Sequence, residues 1–281
     1  MRPVPRLRSL LFAPAVRPDF VERLGERGAD AVVIDCEDAT PANAKAEGRA
    51  NAARLAPVLA ADGVAVTVRV NAEPTGWFAD DVREALSDAL VAVVVPKVES
   101  LDGLDAVDRA LTEAGLADLG VIAGLETALG VADSRQLLAH PRVVAGYFGA
   151  EDFIADMGGV RTASNDEVAT ARSLVALAGR LAGVPVLDQV VTDFGDLDRF
   201  SAECASARAL GYSGKLCIHP GQVAAANAGF VPSEAEVARA RALLEAYEEA
   251  SARGVAAIAF EGQMVDEPLA TQARRIIALA E

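Results

Sequence analysis

The stretches Ala31-Val-Val-Ile-Asp35 and Val91-Ala-Val-Val-Val-Pro-Lys97 decide the fold of this 281-residue chain. Each is a short, continuous run of small and β-branched apolar residues that ends in a charged side chain. Strands of a parallel sheet are buried on both faces, so they read as unbroken apolar runs rather than alternating ones. The two stretches therefore predict buried parallel strands.

Runs of the same kind recur at a nearly even spacing along the chain. The predicted strands are residues 9–15, 31–35, 64–70, 92–98, 120–125, 143–148, 184–189 and 213–218. Segments of helical period separate most of them, among them 18–27 and 197–210. Eight βα units predict an α/β fold of the (β/α)8 TIM-barrel class. A doubly wound sheet is disfavoured because the chain has no GxGxxG or Walker A motif.

The chain after Val231 has a different pattern. Ser233 and Glu236 have the spacing of a capping box, which predicts the start of a helix. A short apolar run, 256–260, and a final helix to Ala280 follow. We expect a barrel domain at 1–230 and a C-terminal helical arm at 231–281. The arm is too short to hold a core of its own, so it should pack on the barrel or on a neighbouring subunit.

Composition excludes several classes of protein. The chain is 52% hydrophobic, and its 26 basic and 41 acidic residues give a net charge of −15. This charge disfavours nucleic acid and membrane surfaces as partners. No apolar run reaches the roughly 18 residues of a membrane span. Three cysteines without CxxC spacing indicate reduced thiols and a cytoplasmic location, and two histidines nearly exclude a histidine zinc site.

Charged residues gather at the carboxyl ends of the predicted strands, where barrel active sites lie. Glu126 ends the fifth strand and Asp152 follows the sixth. Neighbouring parallel strands lie about 4.8 Å apart, so both carboxylates could reach one ion, and Mg²⁺ suits such oxygen ligands. Two alternatives stay open. Glu126 could cap a helix that starts near Thr127, and Asp152 could be a loop acid like Glu151.

Three other polar residues allow two interpretations each. Arg69 either forms a structural ion pair with the carboxylates of 35–38 or clamps an anionic substrate. Lys97 either takes part in the active site or forms a structural ion pair with Glu37 in the barrel core. His219 is a candidate base, although a lone histidine beside a strand end is more often structural.

Eight short motifs follow one another along essentially the whole chain. They are Arg8-Ser-Leu-Leu-Phe-Ala-Pro14, Ile34-Asp-Cys-Glu-Asp38, Arg69-Val-Asn71, Pro96-Lys-Val-Glu-Ser100, Gly124-Leu-Glu-Thr127, Phe148-Gly-Ala-Glu-Asp152, Gly214-Lys-Leu-Cys-Ile-His-Pro220 and Phe260-Glu-Gly-Gln-Met-Val-Asp266. Because it carries these motifs in this order, the chain resembles the citrate lyase β-subunit-like proteins of the HpcH/HpaI aldolase superfamily. The resemblance implies a Mg²⁺-dependent enzyme, in a homotrimer or hexamer, that cleaves or forms a carbon–carbon bond of a 3-hydroxyacyl-CoA thioester.

The resemblance also implies the site residues. Glu126 and Asp152 would be the metal ligands, and Asp266 would be a catalytic acid delivered from the arm of a neighbouring subunit. Arg69 would be catalytic by holding the thioester enolate. The substrate-binding positions would be Arg69, Glu126, Phe12, Arg17, Leu187 and Asp188. The residues that surround these groups would be Glu37, Asp38 and Lys97. They would hold metal-bound waters or orient Arg69. The candidates for the CoA phosphates are Arg6, Arg8, Arg17 and Lys215.

The resemblance leaves the substrate and the direction of the reaction open. Malyl-, methylmalyl-, citramalyl- and 3-hydroxy-3-methylglutaryl-CoA all match the class, with a small keto acid as the other product. The stretch 158–166 differs among relatives and does not select one of them. The alternatives are a malyl-CoA thioesterase or malate synthase-type activity, a citryl-carrier-protein lyase β subunit, a non-catalytic CoA binder, and a CoA-independent keto-acid aldolase.

Overall fold

The computed structural model describes residues 4–280 and contains a closed barrel of eight parallel strands. The strands are β1 Ser9–Pro14, β2 Ala31–Asp35, β3 Val66–Arg69, β4 Ala92–Val95, β5 Gly120–Leu125, β6 Val143–Phe148, β7 Val186–Asp188 and β8 Gly214–Cys217. β1 pairs with both β2 and β8, so the sheet has no open edge. This confirms the predicted α/β barrel.

Helices follow most strands, as the βα period predicts. They are α1 Pro18–Val21, α2 Lys45–Ala61, α3 Phe78–Ala85, α4 Leu101–Glu113, α5 Ala128–Ala132, α6 Ser134–Leu138, α7 Ala150–Met157, α8 Ala169–Ala182, α9 Leu197–Leu210, α10 Val223–Gly229, α11 Glu234–Ala252 and α12 Glu267–Ala280. The helix expected over 18–27 is divided into α1 and a 3₁₀ turn, Leu24–Arg27, which ends at Gly28 in the left-handed conformation. No helix within residues 4–280 has the length and apolar character needed to cross a bilayer.

Side chains fill the interior of the barrel. Leu10, Val33, Val94, Ile122 and Leu216, one from each of five strands, belong to a single buried cluster there. The barrel is therefore a packed core rather than a pore, as is usual for this fold. A binding site must lie at an end of the barrel, beyond this core.

The structure divides into two compact units, one ending at Ala228 and the other beginning at Gly229. The second unit contains α11, α12 and an antiparallel pair of strands, β9 Ile258–Phe260 and β10 Gln263–Val265. Contrary to our expectation it has a small core of its own, which includes Leu243, Tyr247, Val265 and Ala270. The β-strand pair makes this possible because it adds a third layer beside the two helices.

The capping box at the start of α11 is present. The Ser233 hydroxyl accepts a hydrogen bond from the backbone N–H of Glu236 (3.2 Å), and the Glu236 carboxylate accepts one from the backbone N–H of Ser233 (2.8 Å). This reciprocal pair satisfies backbone N–H groups that have no partner inside the helix.

Candidate active site

A cavity of about 430 Å³ lies at the carboxyl ends of the barrel strands. Five of the site residues expected from the sequence line it: Phe12 of β1, Asp38 after β2, Arg69 of β3, Glu126 after β5 and Asp152 on α7. They converge although they are far apart in the sequence, because parallel strands of a barrel all end on the same face. Active sites of barrel enzymes occupy this face.

Glu126 is buried and held by two donors. Its side chain Oε1 accepts hydrogen bonds from the backbone N–H of Lys97 (2.8 Å) and from the hydroxyl of Tyr147 (3.0 Å). Burial raises the pKa of Glu126 to about 7, and the negative charges of Asp152 and Glu37 act in the same direction. The cap of the following helix is Thr127, not Glu126, so the structural alternative considered for Glu126 is excluded.

Gly149 leaves the space that this carboxylate occupies. A Cβ atom at position 149 would overlap Glu126 Oε2 and would lie 2.7 Å from Glu126 Cβ. The same glycine is the residue that precedes α7, whose first turn carries Asp152. The lack of a side chain at this junction therefore lets Glu126 and the start of α7 lie side by side.

The side chain of Lys97 contacts three carboxylates of the site. Its Nζ lies 2.5 Å from Glu37 Oε1, 3.2 Å from Asp38 Oδ2 and 3.7 Å from Asp152 Oδ1. The ion pair with Glu37 that we considered for Lys97 is therefore present. The backbone at Lys97 is left-handed (φ 51°), which is uncommon outside glycine. In this conformation the residue presents its N–H to Glu126 and its side chain to Glu37.

Arg69 is oriented by Asp35. Its Nε and Nη2 donate to the two carboxylate oxygens of Asp35 at 2.7 and 2.6 Å, and its Nη1 lies 3.3 Å from Glu37 Oε2. The Phe12 ring lies beneath the guanidinium, 5.1 Å from Cζ to the ring centroid. The structural ion pair considered for Arg69 therefore exists. Because the same side chain also lines the cavity, the guanidinium can still contact a substrate.

Acids outnumber cations in this cluster. It comprises five carboxyl groups and two cations, from Asp35, Glu37, Asp38, Glu126, Asp152, Arg69 and Lys97. Within residues 4–280, Glu37 Oε2 is buried without a hydrogen-bond donor. Burial raises the pKa of both Glu37 and Asp152. A divalent cation would offset two of the three excess negative charges.

The cluster suits an oxygen-coordinated cation. No group of three or more His, Cys, Asp and Glu side chains in the described part of the chain is arranged to hold a metal by itself. Glu126 and Asp152 would therefore leave most coordination positions to water and to substrate oxygens. Mg²⁺ keeps several waters and needs few protein carboxylates, so the residues present fit Mg²⁺ better than Zn²⁺.

Leu187 and Asp188 do not contribute to the lining of the cavity, contrary to our expectation. Successive residues of a strand point to opposite sides of the sheet. Leu187 lies in the core of the barrel, and Asp188 is fully buried, where both of its oxygens accept hydrogen bonds from Arg172 of α8 (2.9 Å each). Val190 forms the wall of the cavity at this end of β7.

The prediction that Lys215 binds a CoA phosphate is wrong. Lys215 is fully buried, and its Nζ donates to Asp188 (2.7 Å) and to Glu203 of α9 (3.1 Å). Burial alone would raise the pKa of Glu203, but Lys215 and the neighbouring donors lower it to about 2. Lys215 therefore belongs to a buried ion network between the barrel and its helices.

Among the arginines proposed for the CoA phosphates, only Arg17 follows β1 on the face that holds the cavity. Arg6 and Arg8 precede β1, which places them at the opposite end of the barrel, and Arg8 pairs with Asp30 (2.6 Å). Arg17 is exposed, pairs with Asp19 (2.7 Å) and is not part of the cavity lining. Arg17 therefore remains the candidate for the phosphates.

His219 has the structural role that we considered more common. Its Nδ1 accepts a hydrogen bond from the backbone N–H of Gly221 (3.1 Å), which caps the 3₁₀ turn Pro220–Gln222. Its ring also stacks on the ring of Phe194.

Sequence reasoning missed two residues that shape the site. Tyr147 was included in an apolar run, although a hydroxyl in a fully buried strand needs a partner and finds it in Glu126. Lys45 is buried on α2, where its Nζ donates to the carbonyl oxygens of Cys36 (2.9 Å) and Glu37 (2.8 Å). It fixes the turn that carries the acidic pair, and nothing in its local sequence indicates this role.

Asp266 lies in the second unit, between β10 and α12. Its backbone carbonyl accepts hydrogen bonds from the N–H groups of Leu269 (3.1 Å) and Ala270 (3.0 Å), so it opens the final helix. Its side chain is partly exposed. Its role as a catalytic acid stays a prediction.

Comparison with known proteins gives consistent matches over most of the chain. The family model described as HpcH/HpaI aldolase/citrate lyase matches residues 8–220. A "citrate lyase subunit beta-like protein" of Deinococcus radiodurans is 50% identical, over 97% of this chain and 96% of that protein. A "(3S)-malyl-CoA thioesterase" of Cereibacter sphaeroides is 32% identical, over 98% of this chain and 94% of that protein.

Solved structures agree with these matches. The crystal structure of the protein CitE from Mycobacterium tuberculosis in complex with magnesium, acetoacetate and coenzyme A superimposes with a TM-score of 0.82. The two chains are 32% identical, and the match covers 97% of each. Magnesium, a keto acid and coenzyme A are thus bound together in a protein of this fold.

Proposed function

The chain belongs to the HpcH/HpaI aldolase/citrate lyase family, and from this membership and the geometry of the cavity we propose that it is a Mg²⁺-dependent carbon–carbon lyase. Its substrate is a 3-hydroxyacyl-CoA thioester, which it cleaves to an acyl-CoA and a keto acid, or forms from them. The observation that supports this most strongly is the convergence of Glu126, Asp152 and Arg69 on one cavity.

Glu126 and Asp152 are the proposed ligands of the metal. When bound, Mg²⁺ supplies Lewis-acid polarisation of the substrate oxygens. The N–H of Lys97 and the hydroxyl of Tyr147 hold Glu126 Oε1 in place. The N–H of Lys97 and the charge of Arg69 lower the pKa of Glu126 against the effect of burial, so the ionised carboxylate that would bind a cation predominates above about pH 7.

Arg69 is proposed to hold the thioester oxygen. In the cleavage direction a base takes the hydroxyl proton, the C3–O bond becomes a carbonyl as the bond between C2 and C3 breaks, and the electron pair of that bond passes into the thioester enolate. A guanidinium that already lies where this charge develops lowers the barrier, because it does not have to move during the reaction. Asp35 and the Phe12 ring keep Arg69 in that position.

Asp266 is proposed to protonate the enolate carbon, or to remove that proton in the synthetic direction. We propose that it reaches the cavity of a neighbouring subunit in a homotrimer or hexamer. Glu37 lies behind the site and Asp38 lines the cavity; with Lys97 they are proposed to orient water and Arg69 rather than to react.

Substitution of Asp152 tests the proposal. Asp152→Asn keeps the shape of the side chain but removes the charge, so Mg²⁺-dependent cleavage of malyl-, citramalyl-, methylmalyl- and 3-hydroxy-3-methylglutaryl-CoA should fall by a factor of about 10³. Acetyl-CoA or the homologous acyl-CoA and the keto acid are both measured. Asp102→Asn, an exposed acid on α4, is the control and should retain full activity. Full activity of Asp152→Asn would overturn the metal assignment.

The 32% identical malyl-CoA thioesterase favours a second candidate function on the same site. In that case water releases the acid, and the thioester bond breaks instead of the carbon–carbon bond. The product assay distinguishes the two, because a thioesterase yields free CoA and intact malate whereas a lyase yields acetyl-CoA and glyoxylate.

A further inference from the structure

A large aromatic side chain closes the inner end of the cavity. Tyr147 of β6 is 1% exposed and belongs to the buried cluster that fills the barrel, together with Ile122 and Leu187. Tyr147 also lines the cavity. A side chain that belongs to both the core and the cavity lining separates one from the other, so the Tyr147 ring forms the floor of the cavity.

The residues beside this ring are small. Between Tyr147 and Asp152, the other uncharged residues that line the cavity are Gly149 and Ala150. These two leave the space next to Glu126 and Asp152 open. The Tyr147 ring is therefore the largest uncharged group that this part of the chain presents to a ligand bound at the two carboxylates.

The position of the ring is fixed from the neighbouring strand. Gly124 of β5 is the register partner of Tyr147, and a Cβ atom at position 124 would overlap the Tyr147 hydroxyl and would lie 2.7 Å from its Cζ. The missing side chain lets the phenol lie across β5, where its hydroxyl donates to Glu126 Oε1 (3.0 Å). The core beneath the ring is close-packed, so a larger ligand cannot push the ring aside without disturbing that core.

The keto acid is the part of the substrate that would meet this floor. In the proposed function its oxygens share a metal ion with Glu126 and Asp152, and Tyr147 contacts Glu126 directly. The candidate keto acids differ in the group on the keto carbon. Glyoxylate, from malyl- and methylmalyl-CoA, carries a hydrogen atom there, and pyruvate, from citramalyl-CoA, carries a methyl group.

We propose that Tyr147 determines the size of the keto acid that the site accepts, an inference that rests on the proposed function. The ring leaves room for hydrogen on the keto carbon and excludes a methyl or larger group. The preferred substrates are therefore thioesters that yield glyoxylate. One methyl group in a pocket of this kind changes kcat/KM by about 10–200-fold, so malyl-CoA should be preferred to citramalyl-CoA by about tenfold or more.

Two substitutions separate the ring of Tyr147 from its hydroxyl. Tyr147→Val opens the floor and should shift the ratio of kcat/KM for malyl-CoA to that for citramalyl-CoA by about tenfold or more towards citramalyl-CoA. Tyr147→Phe removes only the donor to Glu126, so both substrates should lose rate by the same factor and the ratio should stay. Both values come from one preparation, so their ratio does not depend on how much of a variant is folded.

Ile122→Val is the control for lost packing. Ile122 belongs to the same buried cluster but does not line the cavity, so its variant should keep the ratio of the unsubstituted protein.

Binding of the keto acids alone provides a readout that does not depend on turnover. Titration calorimetry in the presence of Mg²⁺ compares glyoxylate, pyruvate and 2-oxobutanoate, which carry hydrogen, methyl and ethyl on the keto carbon. In the unsubstituted protein the Kd should rise along this series. In Tyr147→Val the Kd values for pyruvate and 2-oxobutanoate should each fall by about tenfold relative to that for glyoxylate.

The outcomes separate this inference from the proposed function. An unchanged ratio in Tyr147→Val, or an equal shift in Tyr147→Phe, would overturn the role of the ring and leave the lyase proposal standing. A preference of the unsubstituted protein for citramalyl-CoA would do the same. Failure of the unsubstituted protein to cleave any of the thioesters would overturn both.

Discussion

The charge of Glu126 depends strongly on the groups that surround it. It is buried, its pKa is raised to about 7, and its nearest donors come from a backbone N–H and a tyrosine hydroxyl. A raised pKa in an acid means that the folded protein holds the proton more tightly than the unfolded chain. Without a cation, the folded state therefore loses stability as pH rises from about 4.5 to 7, the interval between the unfolded and folded pKa values.

This state of Glu126 predicts a pH-dependent affinity for Mg²⁺. Binding needs the ionised carboxylate, so the affinity should be full above pH 7 and should fall about tenfold per unit below it. The rise in Tm on addition of Mg²⁺ should accordingly be larger at about pH 8 than at about pH 6. Glu126→Gln should remove the pH dependence of this rise, and a rise that is the same at both pH values would contradict the assignment.

Individual residues also show where sequence reasoning succeeds and where it fails. Arg69, Glu126 and Asp152 were found because each is a charge at the end of a buried strand. Asp188 satisfied the same criterion and was misplaced, because a strand turns neighbouring side chains to opposite sides and its partner Arg172 lies on a helix. Such a partner depends on tertiary packing, which the spacing of residues does not reveal.

At the scale of elements, the junction between β6 and α7 decides the position of both proposed metal ligands. Gly149→Ala would place a methyl group against Glu126 Oε2, and no flexible neighbour can yield, because Glu126 is held by Lys97 and Tyr147. We expect Mg²⁺ affinity to fall by about tenfold or more while the fold is kept. Calorimetric titration of Mg²⁺ measures this.

Gly76→Ala is the matched control for this prediction. An added Cβ at position 76 meets nothing within 4 Å, and its backbone does not require glycine. Equal Mg²⁺ affinities of the two variants would show that the junction does not position Glu126.

The ion network between β7, β8 and the helices α8 and α9 has a structural role rather than a substrate-binding one. Asp188→Ala would leave Arg172 and Lys215 buried without their shared partner. Removal of one member of a buried ion pair typically costs about 3–5 kcal/mol of unfolding free energy. Urea denaturation should show this loss, whereas KM for the thioester should not change at temperatures where the variant is folded.

The exposed pair of Arg17 and Asp19 provides the control for Asp188. Asp19→Ala removes an acid that is largely in water, so the free energy of unfolding should not change measurably. A stable Asp188→Ala variant with a raised KM would instead restore the original expectation that Asp188 binds substrate.

At the scale of the whole molecule, the order of eight βα units could be predicted from the sequence because each buried strand is a separate apolar run. The core of the second unit could not be predicted, since each strand of its β9–β10 pair is only three residues long. Strands this short have too few residues for an alternating pattern to stand out. Their pairing is therefore visible in the structure alone.

The proposed exchange of Asp266 between subunits predicts complementation. Asp152→Ala and Asp266→Ala should each be inactive alone. In mixed oligomers some sites would combine an intact Asp152 with an intact Asp266 from a neighbour, so refolding equal amounts together should restore about a quarter of the activity. Mixing the separately folded proteins without refolding is the control. No recovery after co-refolding would mean that the two residues do not act across subunits.

The closure of the barrel by β1 and β8 has a consequence for synthesis in the cell. Ser9 pairs in register with Lys215, so the strand of the barrel that is synthesised first meets one of its two neighbours last. At about 5–20 residues per second, the intervening chain takes roughly 10–40 seconds to translate. Throughout that interval one edge of β1 has no strand beside it, and Leu10 and Leu11, buried in the finished barrel, are open to other chains. The yield of this protein should therefore depend on chaperones that shield nascent chains.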